Sequence, residues 1–350
     1  LWQRLLSRHS DRGQLSGFAE PLGYLPLRQA LAVYLCQSRR VVCNEHNILI
    51  TAGAQQALFI AAKLVAKAGQ QVLMETPGYP RLKQALQLCE LQVQHLDASS
   101  ASGLDIKTLP DKTEAKALFL TPGHQYPLGG IMPLANRLTV LDWARQHGVW
   151  LVEDDYDSEF RYGLKPVQTL QSLDVDGSVI YIGTFSKTLS PQLRLGYLVL
   201  PAELVKVFRQ AKQLTDRHTP SPDQSVIAQL IQSGAYERHI RRVRRANETK
   251  RGVLIEAIHK FMPKRVEVEG TASGLHIVVW LEDFQIEDEP NLIARAKAIG
   301  IGIWSITPLY AAGDKLRRKK CAGLVMGYAG LTPTEIKKGV ARLAQAIQQN

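Results

Sequence analysis

The sequence predicts an α/β protein: a mostly parallel sheet sandwiched between helices, followed by a smaller α+β domain. Two observations carry this. From about residue 48 to 200, short, nearly continuous apolar runs alternate with helical patterns, the texture of strands buried on both faces. After Pro201 the alternation stops, and basic helical segments run to about Lys260 before strands return.

Taken in order, the strand candidates are 48–51, 72–75, 117–121, 149–153, 179–182 and 197–200, with helices at 55–68, 81–88 and 134–147 between them. The smaller domain offers strands at 266–268, 275–281, 302–306 and 324–328. Its last helix has a marked start, with Thr332 as N-cap, Pro333 in the first turn and Glu335 completing a capping box. The division is expected at residues 1–40, contributing to the small domain and to dimer contacts, 41–205 for the large domain, and 206–350 for connecting helices and the small domain. Leu1 opens inside a pattern that reads as the middle of a larger protein, so the chain is expected to be a piece of one.

Composition narrows the class. At 350 residues there is length for two or three domain-sized units. A 45% hydrophobic and 21% charged content is ordinary for a soluble globular protein. No apolar run approaches the ~20 residues of a membrane-spanning helix, and no segment reads as a signal peptide. Cys36, Cys43, Cys89 and Cys321 form no CxxC pair and no metal-ligand spacing, so no metal is expected and reduced thiols in a cytoplasmic protein are. A net charge of +11 favours anionic partners. Its basic clusters, 238–245 and 315–320, lack interleaved aromatics; a solvated surface and a DNA-facing or interdomain role both remain open.

The chemistry gathers where strands end, the place where sheets of this kind bind ligands. Lys187 follows strand 179–182 in Gly183-Thr184-Phe185-Ser186-Lys187, with Arg194 seven positions on. A Schiff base needs a lysine with an accessible neutral amine; burial and nearby positive charge lower a lysine pKa so that the amine can attack an aldehyde, and Lys187 at a strand end near Arg194 fits. Arg194 suits a phosphate dianion through paired hydrogen bonds, and Thr184 and Ser186 add hydroxyls. Thr51-Ala52-Gly53-Ala54-Gln55-Gln56 joins a strand to a helix, whose first turn presents free N–H groups to an anion; every βα unit needs such a connection, so alone it is weak. Asp154, just past strand 149–153, is placed to keep a ring nitrogen protonated, and Tyr156 to donate to, or share a proton with, an adjacent ring oxygen. Tyr79 can stack on a ring. Arg81 reads either as a surface residue at a helix start or as a partner for a carboxylate. His276 reads either as a satisfied core histidine or as a pocket-lining residue. Amine, guanidinium, hydroxyls, carboxylate and phenol are the parts that hold pyridoxal 5′-phosphate (PLP) as a Schiff base.

The stretches TAGAQQAL (51–58), TPGYPR (76–81), TPGHQYPLGG (121–130), EDDYDSEFRY (153–162), YIGTFSKTLSPQLRLGYLVLP (181–201) and SGLH (273–276) resemble fold-type I PLP-dependent aminotransferases. More narrowly, they resemble the aminotransferase-like domain of MocR/GabR-type bacterial transcription regulators, to which EDDYDSEFRY and the His-Gln pair point. The resemblance implies that Lys187 forms the Schiff base, Asp154 pairs with the ring nitrogen and Tyr156 lies near the 3′-oxygen. It implies Tyr79 on the ring, and Ala54, Gln55, Thr184, Ser186 and Arg194 on the phosphate. It also implies a homodimer with sites at the interface, and a winged helix-turn-helix DNA-binding domain ahead of this region.

Three positions depart from the enzymes' pattern. Val325 stands where aminotransferases carry an arginine for the substrate α-carboxylate. Tyr126 stands where many have an asparagine on the 3′-oxygen, a contact that His124 or Gln125 is then expected to supply. Phe18 replaces a tyrosine that in some relatives reaches the partner's phosphate. Sensing an amine, an amino acid or PLP itself is therefore the expected role, with a working aminotransferase as the alternative.

Overall fold

The computed structural model describes residues 2–8, 18–163, 167–262, 265–312 and 319–348. The basic run 315–320 lies largely outside them. Twelve strands are described: β1 Ile48–Thr51, β2 Gln71–Thr76, β3 Gln92–Ser99, β4 Gly103–Leu104, β5 Ala117–Leu120, β6 Trp150–Asp155, β7 Val179–Thr184, β8 Gly196–Val199, β9 Val266–Glu269, β10 His276–Gln285, β11 Trp304–Ser305 and β12 Cys321–Gly327. The helices are α1 Trp2–Arg8, α2 Leu25–Arg39, α3 Ala54–Val65, α4 Pro80–Leu88, α5 Leu134–His147, α6 Leu170–Leu173, α7 Val205–Asp216, α8 Ser221–Gln232, α9 Ala235–Phe261, α10 Glu289–Ala298 and α11 Pro333–Gln348.

Eight strands form one sheet in the order β1-β8-β7-β6-β5-β2-β3-β4. The pairs β7–β6, β6–β5, β5–β2 and β2–β3 are parallel, and their apolar runs are buried on both faces as expected. Two strands read differently from the sequence. β3, Gln-Val-Gln-His-Leu-Asp-Ala-Ser, has no continuous apolar run, because its first half is only partly covered. β8 runs antiparallel to both β7 and β1. The link from β7 to β8 contains a short 3₁₀ turn, Pro191–Leu193, and is too short for the crossover that a parallel pair requires. That link carries Lys187 and Arg194.

One apolar layer packs α3, α4 and Phe208 of α7 on one face of this sheet. On the other face Leu27, Leu31 and Leu35 of α2 meet Tyr181, Tyr197 and Val199, together with Val226 of α8 and Ile240 of α9. Two expected boundaries shift accordingly. The described N-terminal residues pack on the large sheet rather than on the small domain, because the apolar stripe of α2 has its complement there. The large unit also continues past residue 205, through α7, α8 and the start of α9.

The small domain is an antiparallel sheet in the order β11-β12-β10-β9. It is packed on α9, α10 and α11 around Ile277, Val279, Leu324 and Leu343. The capping box of α11 forms as read: Thr332 N–H donates to Glu335 Oε2 at 2.7 Å, and Glu335 N–H to Thr332 Oγ1 at 3.3 Å. The two units meet where Leu128 joins Val278, Trp280, Ile306 and Val325, and where Gly78 N–H donates to the Leu309 carbonyl at 2.9 Å. Among the described residues, no helix is long and apolar enough to cross a membrane.

Candidate functional site

The sheet gathers the expected residues along one edge. β1, β2, β5, β6 and β7 end there and β8 begins there, so Gly53, Tyr79, His124, Asp154, Tyr156, Lys187 and Arg194 lie along it, where Glu75, Tyr79, Tyr126 and Asp154 line a cleft.

One corner of the cleft is built mainly from backbone. Gly53 has φ of +83°, a conformation that favours glycine, and no side chain caps α3 after it. The first-turn N–H groups of Ala54 and Gln55 thus sit at the positive end of a helix dipole. A Cβ on Gly53 would stand 2.9 Å from Arg194 Nη2, and one on Gly196 would stand 2.8 Å from the Gly53 carbonyl carbon. Arg194, itself left-handed at φ 49°, lays its guanidinium over this turn and donates to the Ala52 carbonyl at 3.0 Å. The rest of that guanidinium is exposed.

The expected hydroxyls are not equivalent. Thr184 is committed to its own turn, accepting from Ser186 N–H at 3.1 Å and donating to the Leu195 carbonyl at 3.4 Å. Ser186 is half-buried beside it. The Gln55 side chain donates to the Arg81 carbonyl at 3.2 Å, and its Oε1 is buried without a hydrogen-bond partner among the described residues. An acceptor oxygen cannot hold a phosphate, so Gln55 offers its backbone there and not its amide oxygen. Arg81 is exposed in the first turn of α4.

The opposite corner is built from buried titratable side chains. Asp154 Oδ1 is enclosed and has no hydrogen-bond partner among the described residues. Burial, then the neighbouring Asp155 and Asp157, push its carboxyl up to about 7, against the pull of Lys187. Tyr79 and Tyr126 meet edge-on at 6.0 Å, and so do Tyr126 and Tyr156. Burial and Asp157 hold the Tyr156 phenol well above its ordinary range. The Tyr156 hydroxyl lies 2.9 Å from His124 Nδ1.

Lys187 is exposed in the turn after β7, on the link to β8. Gln125 is corrected. It is fully buried, its amide donates to the Pro77 and Tyr126 carbonyls, both at 2.7 Å, and Oε1 accepts from Leu128 N–H at 3.1 Å. With its donors and acceptor engaged, it braces the loop rather than facing a ligand.

His276 has a satisfied ring nitrogen, as one of its two readings has it. Its Nε2–H donates to the Pro127 carbonyl at 3.0 Å, while its ring lies 5.5 Å from His124 and 5.3 Å from Tyr126. Burial, then His124, push it down to about 4. Val325 is enclosed in the apolar junction between the two units. Phe18 is exposed, with the Arg217 guanidinium 4.0 Å above its ring.

Two residues escaped the sequence reading. Glu75, next to last in β2, is buried; its Oε2 accepts from Thr121 N–H at 3.0 Å and Thr121 Oγ1–H at 2.6 Å, while Oε1 has no hydrogen-bond partner among the described residues. Burial raises it to about 7. An acid closing an otherwise apolar strand was the available signal. Asp157, buried against His124 at 2.9 Å, was hidden in the acidic run 153–159.

Fold and site together define a fold-type I, aminotransferase-like protein. The family model for aminotransferase class I and II matches residues 2–282, and the chain belongs to that family. Within it, the chain is of the MocR type of HTH transcriptional regulator. It is 33% identical to the HTH-type transcriptional regulator YhdI of Bacillus subtilis (strain 168), over 99% of this chain and 72% of that protein. It is 32% identical to the probable rhizopine catabolism regulatory protein MocR of Rhizobium meliloti, over 99% of this chain and 69% of that protein. Among solved structures, the α-aminoadipate aminotransferase LysN of Thermus thermophilus superposes with a TM-score of 0.88 at 29% identity. The match covers 99% of this chain and 87% of that one, which is complexed with N-(5′-phosphopyridoxyl)-L-leucine.

Proposed function

We propose that this region binds PLP and senses an amine, an amino acid or PLP itself on behalf of a DNA-binding module elsewhere in the protein. The observation that carries the cofactor assignment is Asp154, an enclosed carboxylate whose free oxygen has no protein partner among the described residues. An uncompensated buried charge is costly, and a protonated ring nitrogen relieves it. When bound, the cofactor supplies an aldehyde carbon for a primary amine and a ring that withdraws electrons. Lys187 is the covalent anchor. The Ala54 and Gln55 N–H groups, Ser186 and Arg194 hold the phosphate, Tyr79 covers the ring, and Tyr156 donates to the 3′-oxygen.

Sensing requires an effector that binds two conformations differently, not one that is turned over. His276 and Leu128 lie where the two units meet, and Lys187 is near enough to act electrostatically on His276. The remaining parts of the proposal are a homodimer, a cytoplasmic location and DNA contact through a winged helix-turn-helix domain outside this chain.

Catalytic transamination is the second reading, favoured by the likeness to an α-aminoadipate aminotransferase. Against it stands Val325, enclosed among apolar residues where the enzymes place a guanidinium. The direct test adds PLP to the purified protein and records its visible absorbance. A visible band is expected in the wild type and none of that kind in Lys187→Ala. A wild type that stays colourless would sink the assignment.

A further inference from the structure

His124 is buried at 2% exposed, and Asp157 beside it equally so. His124 Nδ1 lies 2.9 Å from Asp157 Oδ2, 3.1 Å from Oδ1 and 2.9 Å from the Tyr156 hydroxyl. A carboxylate only accepts hydrogen bonds, so this contact requires the proton on Nδ1. A nitrogen that carries a proton cannot accept one from Tyr156. The phenol oxygen then receives a share of the Nδ1–H, and its own O–H is left for a third partner.

The other ring nitrogen has no competing role. His124 Nε2 is buried without a hydrogen-bond partner among the described residues. It lies against the His276 ring, whose Nε2 is turned onto the Pro127 carbonyl. Gly274 closes the remaining side: a Cβ there would stand 2.1 Å from His124 Cε1. The ring is therefore confined as well as hydrogen-bonded.

We propose that the Asp157–His124 pair is a positioning device that sets the direction in which the Tyr156 hydroxyl donates. This rests on the cofactor reading above, and it changes the role of one residue within it. His124 does not contact the 3′-oxygen itself; it acts through Tyr156. The charged and titratable groups facing the cluster are Asp154 in β6 and Asp157 just after it, Glu75 near the end of β2, Tyr126 after β5, His276 of β10 and Lys187 in the β7–β8 link.

A donor on the 3′-oxygen draws electron density from it and so weakens the proton held on the neighbouring lysine-linked nitrogen. Losing the donor strengthens that proton. Asp157→Asn keeps the size of the side chain but turns an N–H₂ toward Nδ1, moving the ring proton to Nε2. Nδ1 and the amide then compete for the phenol.

The test has a cofactor-free arm and a cofactor-bound arm. In cofactor-free protein carrying ¹⁵N-histidine, NMR should show His124 protonated on Nδ1 in the wild type and on Nε2 in Asp157→Asn. Asp157→Glu, which keeps the carboxylate, should restore Nδ1–H. With PLP bound, the pH midpoint of the visible absorbance transition should rise by about one unit in Asp157→Asn, a tenfold gain in proton affinity. Tyr156→Phe should give a rise of similar size, and Asp157→Asn should add nothing in that background. A wild-type His124 protonated on Nε2 overturns the proposal, as do additive shifts in the double variant. If PLP produces no visible band in the wild type, it is the cofactor reading that fails, and the cofactor-free measurement alone decides this one.

Discussion

The two corners of the cleft are built on opposite principles. At the end of β1 the corner is made of backbone N–H groups, a left-handed glycine and a largely exposed guanidinium. At the ends of β2, β5 and β6 it is made of enclosed acids, phenols and a histidine, and two carboxyl oxygens lack hydrogen-bond partners among the described residues. In the second corner burial raises both Asp154 and Glu75 to about 7. On the proposed reading, holding the ligand and responding to its chemical state are separated in space, which suits a sensor.

If that contrast is right, damage to each corner gives a different signature. The largest effect is expected from Asp154→Asn. Losing the charge opposite the ring nitrogen should weaken PLP binding by roughly 10- to 100-fold, the worth of one charge-assisted hydrogen bond. It should also move the pH midpoint of the visible band. Arg194→Ala should weaken binding by about tenfold and leave that midpoint in place. Equilibrium titration followed at the visible band measures both. A midpoint that moves with Arg194 would dissolve the distinction between the corners.

The smallest effect concerns stability without ligand. Glu75 is raised in the folded state, so its contribution is fully present below the unfolded carboxyl pKa of roughly 4 and is lost as pH rises through about 7. Glu75→Gln should therefore match the wild type near pH 5. By pH 8.5 it should melt higher, by about 3 °C. Differential scanning calorimetry at the two pH values reads this directly, and an advantage that shrinks with rising pH would contradict the assignment.

The same contrast explains what was legible in the sequence. The backbone corner was readable because glycine after a strand, and arginine after a lysine-bearing turn, are local patterns with local causes. Asp154 and Tyr156 were readable from their position at a strand end. Glu75 and Asp157 were not, because their significance comes from what encloses them, and enclosure depends on residues far away in sequence. Gln125 failed for a related reason: its neighbours in sequence suggested a ligand contact, while Pro77, brought close by the fold, occupies its amide. The parallel core strands could be read from continuous apolar runs. The half-polar strand β3 and the antiparallel turn of β8 could not. The helix α2 was assigned to the wrong unit because an apolar stripe shows that a helix docks, not where.

The central claim is that Lys187 and its surroundings report an amine rather than consume one. The most direct measurement mixes the PLP-loaded protein with a series of amines and amino acids, together with a keto acid acceptor. Absorbance and keto acid product are followed in the same cuvette. The expected result is a shift of the visible band that saturates with effector, with product not exceeding one equivalent per site. Sustained keto acid formation over many equivalents would contradict it and make this chain a working aminotransferase.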